Sequence, residues 1–314
     1  MRHIAFLSVF AFAGAVSAFA SVDTGLLALV PAGAKIIGAV DVTRARNSDF
    51  GQYLLNKAQT EDEHFQEMIN QTGFDPRRDL QNILFATGGP STTGQPSSFA
   101  ILARGNFDPA RIKALAKSKG NTTIVNYGGL DMIVNQNEGG QQPSIAFLDV
   151  GVAVMADLST LKQIIDNRAS PTMLDADLTS KINSIGANND AWFVSLVGGS
   201  FLADHAGPQG ASQAKALQGV VQSSGGVKLG PVIDTTFDAV TRSPQDATSL
   251  SDVVRFLASM VQMQRQSDPR AGILASALDG MTLQSSGAAV HFAVSMPEKS
   301  LEQLAEVGSS AHAH

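Results

Sequence analysis

The chain has no cysteine, and only one tryptophan and two tyrosines among its 314 residues. Without cysteine there is no disulfide framework, and no residue to carry a lipid anchor behind an export signal. Scarce Trp and Tyr leave few platforms on which bases or sugars could stack. Basic residues are scattered: no Lys/Arg cluster is longer than Arg77-Arg78, and the chain carries a net charge of −6. Nucleic acid and anionic membrane surfaces are therefore poor partners. Beyond residue 20 no stretch is apolar enough to span a bilayer, so no integral membrane span is expected.

What is present begins with "MRHIAFLSVFAFAGAVSAFA". Arg2 and His3 precede an apolar run from Ile4 to Val16, and small residues follow at Val16-Ser17-Ala18 and Ala18-Phe19-Ala20. This is the three-part layout of a secretory signal, with cleavage expected near Ala18 or Ala20 and a periplasmic or extracellular mature protein. Export permits disulfides without requiring them, and a chain this long can bury enough apolar surface to fold without staples.

The remainder alternates short strands and amphipathic helices, which predicts an α+β fold with a mainly antiparallel sheet and helices packed on one face. Turn chemistry at Pro31-Ala32-Gly33 feeds a strand from Lys35 to Val42, and Asn47 or Ser48 offers a helix cap. "TTIVNYGGLDMIVNQ" reads as a hairpin with Gly128-Gly129 at the central positions, and "PSIAFLDVGVAVMAD" as another. A small-residue helix is expected from about Gln209 to Ser224, with Ala214, Leu217 and Val221 inward. Ser249 reads as the cap of a helix lined by Leu250, Val253, Val254, Leu257 and Val261.

"VAVMADLSTLKQII" and "VHFAVSMPEKSLEQL" share a strand, break and helix, and "AKIIGAVDV" answers "NDAWFVSLV". That parallel predicts two similar halves: residues 1–20 as signal peptide, 21–170 and 171–308 as successive α+β units, and 309–314 as a disordered tail.

Three helix starts carry Asp-Pro followed by Arg: Asp75-Pro76-Arg77, Asp108-Pro109-Arg111 and Asp268-Pro269-Arg270. Asp caps the free amides, Pro suits the first helical position, and a preceding Phe (Phe74, Phe107) can staple onto the next turn, for Phe107 onto Ile112. The Arg residues read as solvated surface.

Catalytic signatures are weak. Ser159 and Lys162 match Ser-x-x-Lys, but the companion motifs are missing, so Ser159 reads as a helix cap. Ser200 in "GGSFLAD" has Asp204 and His205 nearby in sequence and supports an alternative reading as a secreted serine hydrolase, as does the loop Gly88 to Ser98. His291 falls on the polar side of an alternating strand, and His312 and His314 lie in a polar tail. No residue set is nominated for catalysis, a cofactor or a metal.

"LVPAGAKIIGAVDV", "SDFGQYLL", "GFDPRRDLQNILFATG", "GNFDPARIKALAKSKG" and "IAFLDVGVAVMAD" together resemble a group of secreted bacterial proteins with no assigned activity. The resemblance implies export and duplicated α+β architecture, and carries over no catalytic residue. The resulting expectation is an exported, non-catalytic protein that binds a protein partner or an apolar small molecule through a sheet face or the cleft between its halves.

Overall fold

The computed structural model describes residues 22–61, 63–89, 98–118, 120, 122–135, 143–170, 173–199 and 216–310. The strands are β1 (Ile36–Asp41), β2 (Leu80–Thr87), β3 (Phe99–Gly105), β4 (Thr122–Tyr127), β5 (Leu130–Asn135) and β6 (Ser144–Phe147), followed by β7 (Val152–Ala156), β8 (Ala191–Ser195), β9 (Val220–Lys228), β10 (Val232–Thr241), β11 (Thr282–Ser286) and β12 (Ala289–Pro297). They form one sheet in the order β11-β12-β10-β9-β8-β1-β2-β3-β7-β6-β5-β4. Every pairing in it is antiparallel. The fold is α+β, as the short, turn-linked strands predict. The hairpin at Gly128-Gly129 has both residues at positive φ, 57° and 79°, which glycine adopts without steric cost.

The helices are α1 (Thr24–Leu27), α2 (Val42–Asn47), α3 (Asp49–Glu61), α4 (Glu63–Thr72), α5 (Pro76–Asp79), α6 (Pro109–Ser118), α7 (Leu158–Asn167), α8 (Ala176–Gly186), α9 (Pro244–Met263), α10 (Pro269–Leu278) and α11 (Glu298–Ser310). Two cores form on opposite faces of the sheet. On the back face, Leu26 of α1, Leu161 and Ile164 of α7 and Leu178 and Ile182 of α8 bury Ile37, Leu84, Leu102, Val154 and Val194. On the front face, Ala247 and Leu250 of α9 bury Val220, Ala239 and Val290. The sheet crosses the 170/171 boundary without a break, because β1 pairs with β8 from Ile36↔Ser195 to Val40↔Ala191.

Three local expectations are corrected. Residues 220–224, expected at the end of a helix, are strand β9, and Val221 is exposed. The β10 ladder takes them up from Val220↔Thr241 to Ser224↔Asp238, and that pairing overrides their small-residue pattern. The long helix starts at Ser243, whose hydroxyl accepts from the Asp246 N–H, with Pro244 in the first turn; Ser249 lies inside it. Leu257, expected to face inward, is exposed, together with Phe256, Met260 and Met263 on the same helix and Leu274 on α10.

The Asp-Pro-Arg starts are helix caps: the side chains of Asp75, Asp108 and Asp268 accept from the backbone N–H of Arg77, Arg111 and Arg270. The arginines do more than face solvent. Arg77 folds back on Asp75 with Nε–Oδ1 and Nη2–Oδ2 distances of 2.9 and 2.8 Å. Arg111 donates to the carbonyls of Gln71, at 2.9 Å, and Asn70, closing the last turn of α4. The two Phe residues stack on each other, Phe74 to Phe107 at 5.0 Å between centroids, with Phe107 also against Phe147 at 5.7 Å. Each motif thus starts a helix, and the first two also join neighbouring elements through the Phe74–Phe107 stack and Arg111.

Candidate functional site

Side chains alternate across a sheet, so register determines what each face presents. On the front face one residue per strand forms a single row: Ile124, Ile133, Ile145, Met155, Ile101, Phe85, Gly38, Phe193, Gly225, Phe237, Phe292 and Leu283. Each pairs with the next. Every member is apolar or glycine. α9 covers this face near β10 and β12, whereas Phe85 is 39% exposed and, one row along, Val40 is 37% exposed.

Glycine shapes the middle of the row. A Cβ on Gly225 would meet Phe193 Cε1 at 2.6 Å, and one on Gly38 would meet the Trp192 carbonyl oxygen at 3.2 Å. The missing side chains let the Phe193 ring lean over β9 toward Phe237, with centroids 6.2 Å apart. Two hollows adjoin this ring pair. The wider, about 430 Å³, is walled by Gly38, Val40, Ile83, Phe85, Val227 and Thr235. The other, about 220 Å³, is walled by Ile36, Ser195, Val197, Leu217, Val220, Ser223 and Leu250. Phe193 and Phe237 border both, and no charged residue lines either among the described residues. Together they make an apolar trough running along the strands. Its chemistry is dispersion and desolvation, with front-face hydroxyls among the described lining residues at Thr235, Ser195 and Ser223.

The back face changes character beyond α8. There the row Ser224, Asp238, His291, Gln284 crosses β9, β10, β12 and β11. His291 Nδ1 lies 2.8 Å from Asp238 Oδ1, and Ser295 donates to Asp234 at 2.6 Å. With Lys181, Lys228 and Asp234 the row lines an open polar groove of about 730 Å³. His291 thus occupies the polar side of its strand, as the alternation predicts.

Ser159 is not the helix cap. Asp157 caps α7 by accepting from the Thr160 N–H at 2.9 Å, and Ser159 donates to Asp157 Oδ1 at 2.6 Å. Burial opposes the charged form of Asp157, yet hydrogen bonds from Ser159, Thr160 and Phe99 outweigh it and hold the carboxyl below its ordinary pKa. Ser200, Asp204 and His205 lie outside the described residues, as do His312, His314 and positions 90–97 of the Gly88–Ser98 loop.

The trough went unrecognised in the sequence because its centre depends on β9. The paired glycines of "QSSGGVK" suggest a helix end followed by a break, whereas both are strand positions, Gly225 making room for Phe193 on the front face and Gly226 for Asn189 on the back. The alternation in "AWFVS" was the available signal, since it sets Phe193 and Ser195 on one face.

No protein-family model matches the chain, and no curated protein does either. Among solved structures, crystal form I of TP0453 aligns with a TM-score of 0.48 and 10% identity over 88% of this chain and 95% of that one. Crystal form IV of TP0453 gives 0.49 and 9% over the same shares. The resemblance is weak. Nothing about function passes from either to this chain. Among the described residues no helix is long and apolar enough to cross a membrane.

Proposed function

We propose that this is an exported, non-catalytic protein that binds an apolar small molecule in the front-face trough. The observation that carries the reading is the trough at Phe193 and Phe237: two adjoining apolar hollows on a sheet face, with no charged side chain in their walls among the described residues. Concave, mostly apolar sites with a few polar groups are the usual form of small-molecule pockets. Half-exposed Phe85 and Val40 give an arriving ligand apolar area to cover, at about 25 cal/mol per Å².

Fluorescence titration of the full chain with Nile red, a neutral apolar dye, tests the reading. Saturable binding is expected, weakened about tenfold in the double variant Val40→Gln/Phe85→Gln, a loss of about 1.4 kcal/mol. Both positions are already exposed, so the melting temperature should change little. Absence of saturable binding in the wild type, or equal binding by wild type and a folded double variant, would refute it.

A further inference from the structure

The smaller hollow has a polar end. Ser195 and Ser223 are cross-strand partners on the front face, each only 8% exposed. Ser195 turns its hydroxyl back on its own chain, accepting from the Val197 N–H at 3.2 Å. Ser223 has no side-chain hydrogen-bond partner among the described residues, although it stands in the wall of the hollow beside Phe193, Leu217 and Leu250. Its Oγ is not one of the fully buried hydroxyls without a partner, which among the described residues are those of Ser144 and Ser251, so it opens onto the hollow, where a ligand that displaced water from it would have to replace that hydrogen bond. A bound molecule with a hydrogen-bonding group at this end would supply the missing partner.

The walls limit what that group can be. Among the described residues no Lys, Arg, His, Asp or Glu lines either hollow, so an ionised head would lose its hydration with no counter-charge from them to replace it. A neutral hydroxyl or carbonyl incurs no such penalty. From the Ser223 row to the Val227 row of β9 the trough extends about 13 Å along the strand. Apolar side chains line most of that length.

Building on the proposed binding function, we infer that the ligand is a neutral amphiphile. Its apolar chain lies against Phe193 and Phe237, and its uncharged polar end hydrogen-bonds to Ser223. Ser223 sets specificity for that end, while the ring pair and the wider hollow provide affinity for the chain.

Competition against Nile red separates this inference from the reading beneath it. Dodecanol and dodecanoate are compared at about pH 8, where the acid is fully ionised. Dodecanol is expected to displace the dye at about tenfold lower concentration than dodecanoate. Ser223→Ala should weaken dodecanol about fivefold, read against the dye's own affinity in that variant, with the melting temperature unchanged, and Ser223→Thr should restore dodecanol binding. Nile red binding with equal competition by both chain molecules, or preference for dodecanoate, overturns the inference and leaves the trough reading standing. So does an unchanged dodecanol affinity in Ser223→Ala. Failure of Nile red itself to bind overturns both.

Discussion

Asp108 and Arg111 are three residues apart and serve two different helices. Asp108 caps α6, while the Arg111 guanidinium closes the end of α4 through Asn70 and Gln71. Asp108→Ala should cost about 1 kcal/mol in urea unfolding, as cap losses do, and leave ligand binding unchanged. The cap was legible because Asp-Pro before an apolar period has a single mechanical meaning. The second role of Arg111 was not, because its target lies 40 residues back and only the packing of α6 on α4 brings it within reach. A pH effect belongs at this scale too. Hydrogen bonds from Arg77 hold the Asp75 carboxyl below its ordinary pKa, and those from Arg78 do the same for Asp79. A depressed carboxyl stabilises the fold fully above its unfolded value, near pH 4, and that stabilisation is lost as pH falls through the lower folded value. Urea midpoints measured from neutral pH downward should therefore fall below about pH 4, and fall less steeply in Asp79→Asn.

Among the elements, the tight α2–α3 corner and the long α9 make opposite predictions. A Cβ on Gly51 would come within 1.9 Å of the Ala45 carbonyl oxygen, so Gly51→Ala must push the two helices apart. Its expected cost is about 2 kcal/mol, read from the unfolding midpoint. Ser251 of α9 is buried with an unpartnered hydroxyl, and Ser251→Ala should raise stability by about 1 kcal/mol. Hairpins and amphipathic helices were legible because their signals are local: the two positive-φ glycines between β4 and β5, and the buried stripe Leu161, Ile164, Ile165 of α7. Where local pattern and long-range pairing disagreed, pairing prevailed, as at residues 220–224. α9 departs from its periodicity for another reason. It covers only the edge region of the front face, so its C-terminal half extends past the sheet and leaves Leu257 and Met260 exposed.

For the whole molecule, the decisive contact is β1 against β8, a pairing across about 150 residues of sequence that no local pattern encodes. It makes one sheet of the strands before and after residue 170, and it puts Gly38 next to Phe193. The back-face core and the trough both depend on that junction, since Ile37 pairs with Val194 on one side while Gly38 pairs with Phe193 on the other. The antiparallel α+β class was readable from strand length and turn chemistry. The partly covered apolar row was not, because it exists only once all the strands are in register. A photoreactive, uncharged long-chain alcohol, cross-linked to the full chain and located by peptide mass spectrometry, tests the central claim most directly. Labels are predicted in β8, β9 and β10, around Phe193, Ser223 and Phe237. Labels confined to Phe256, Met260 and Met263 of α9, or to the back-face groove at His291, would contradict it.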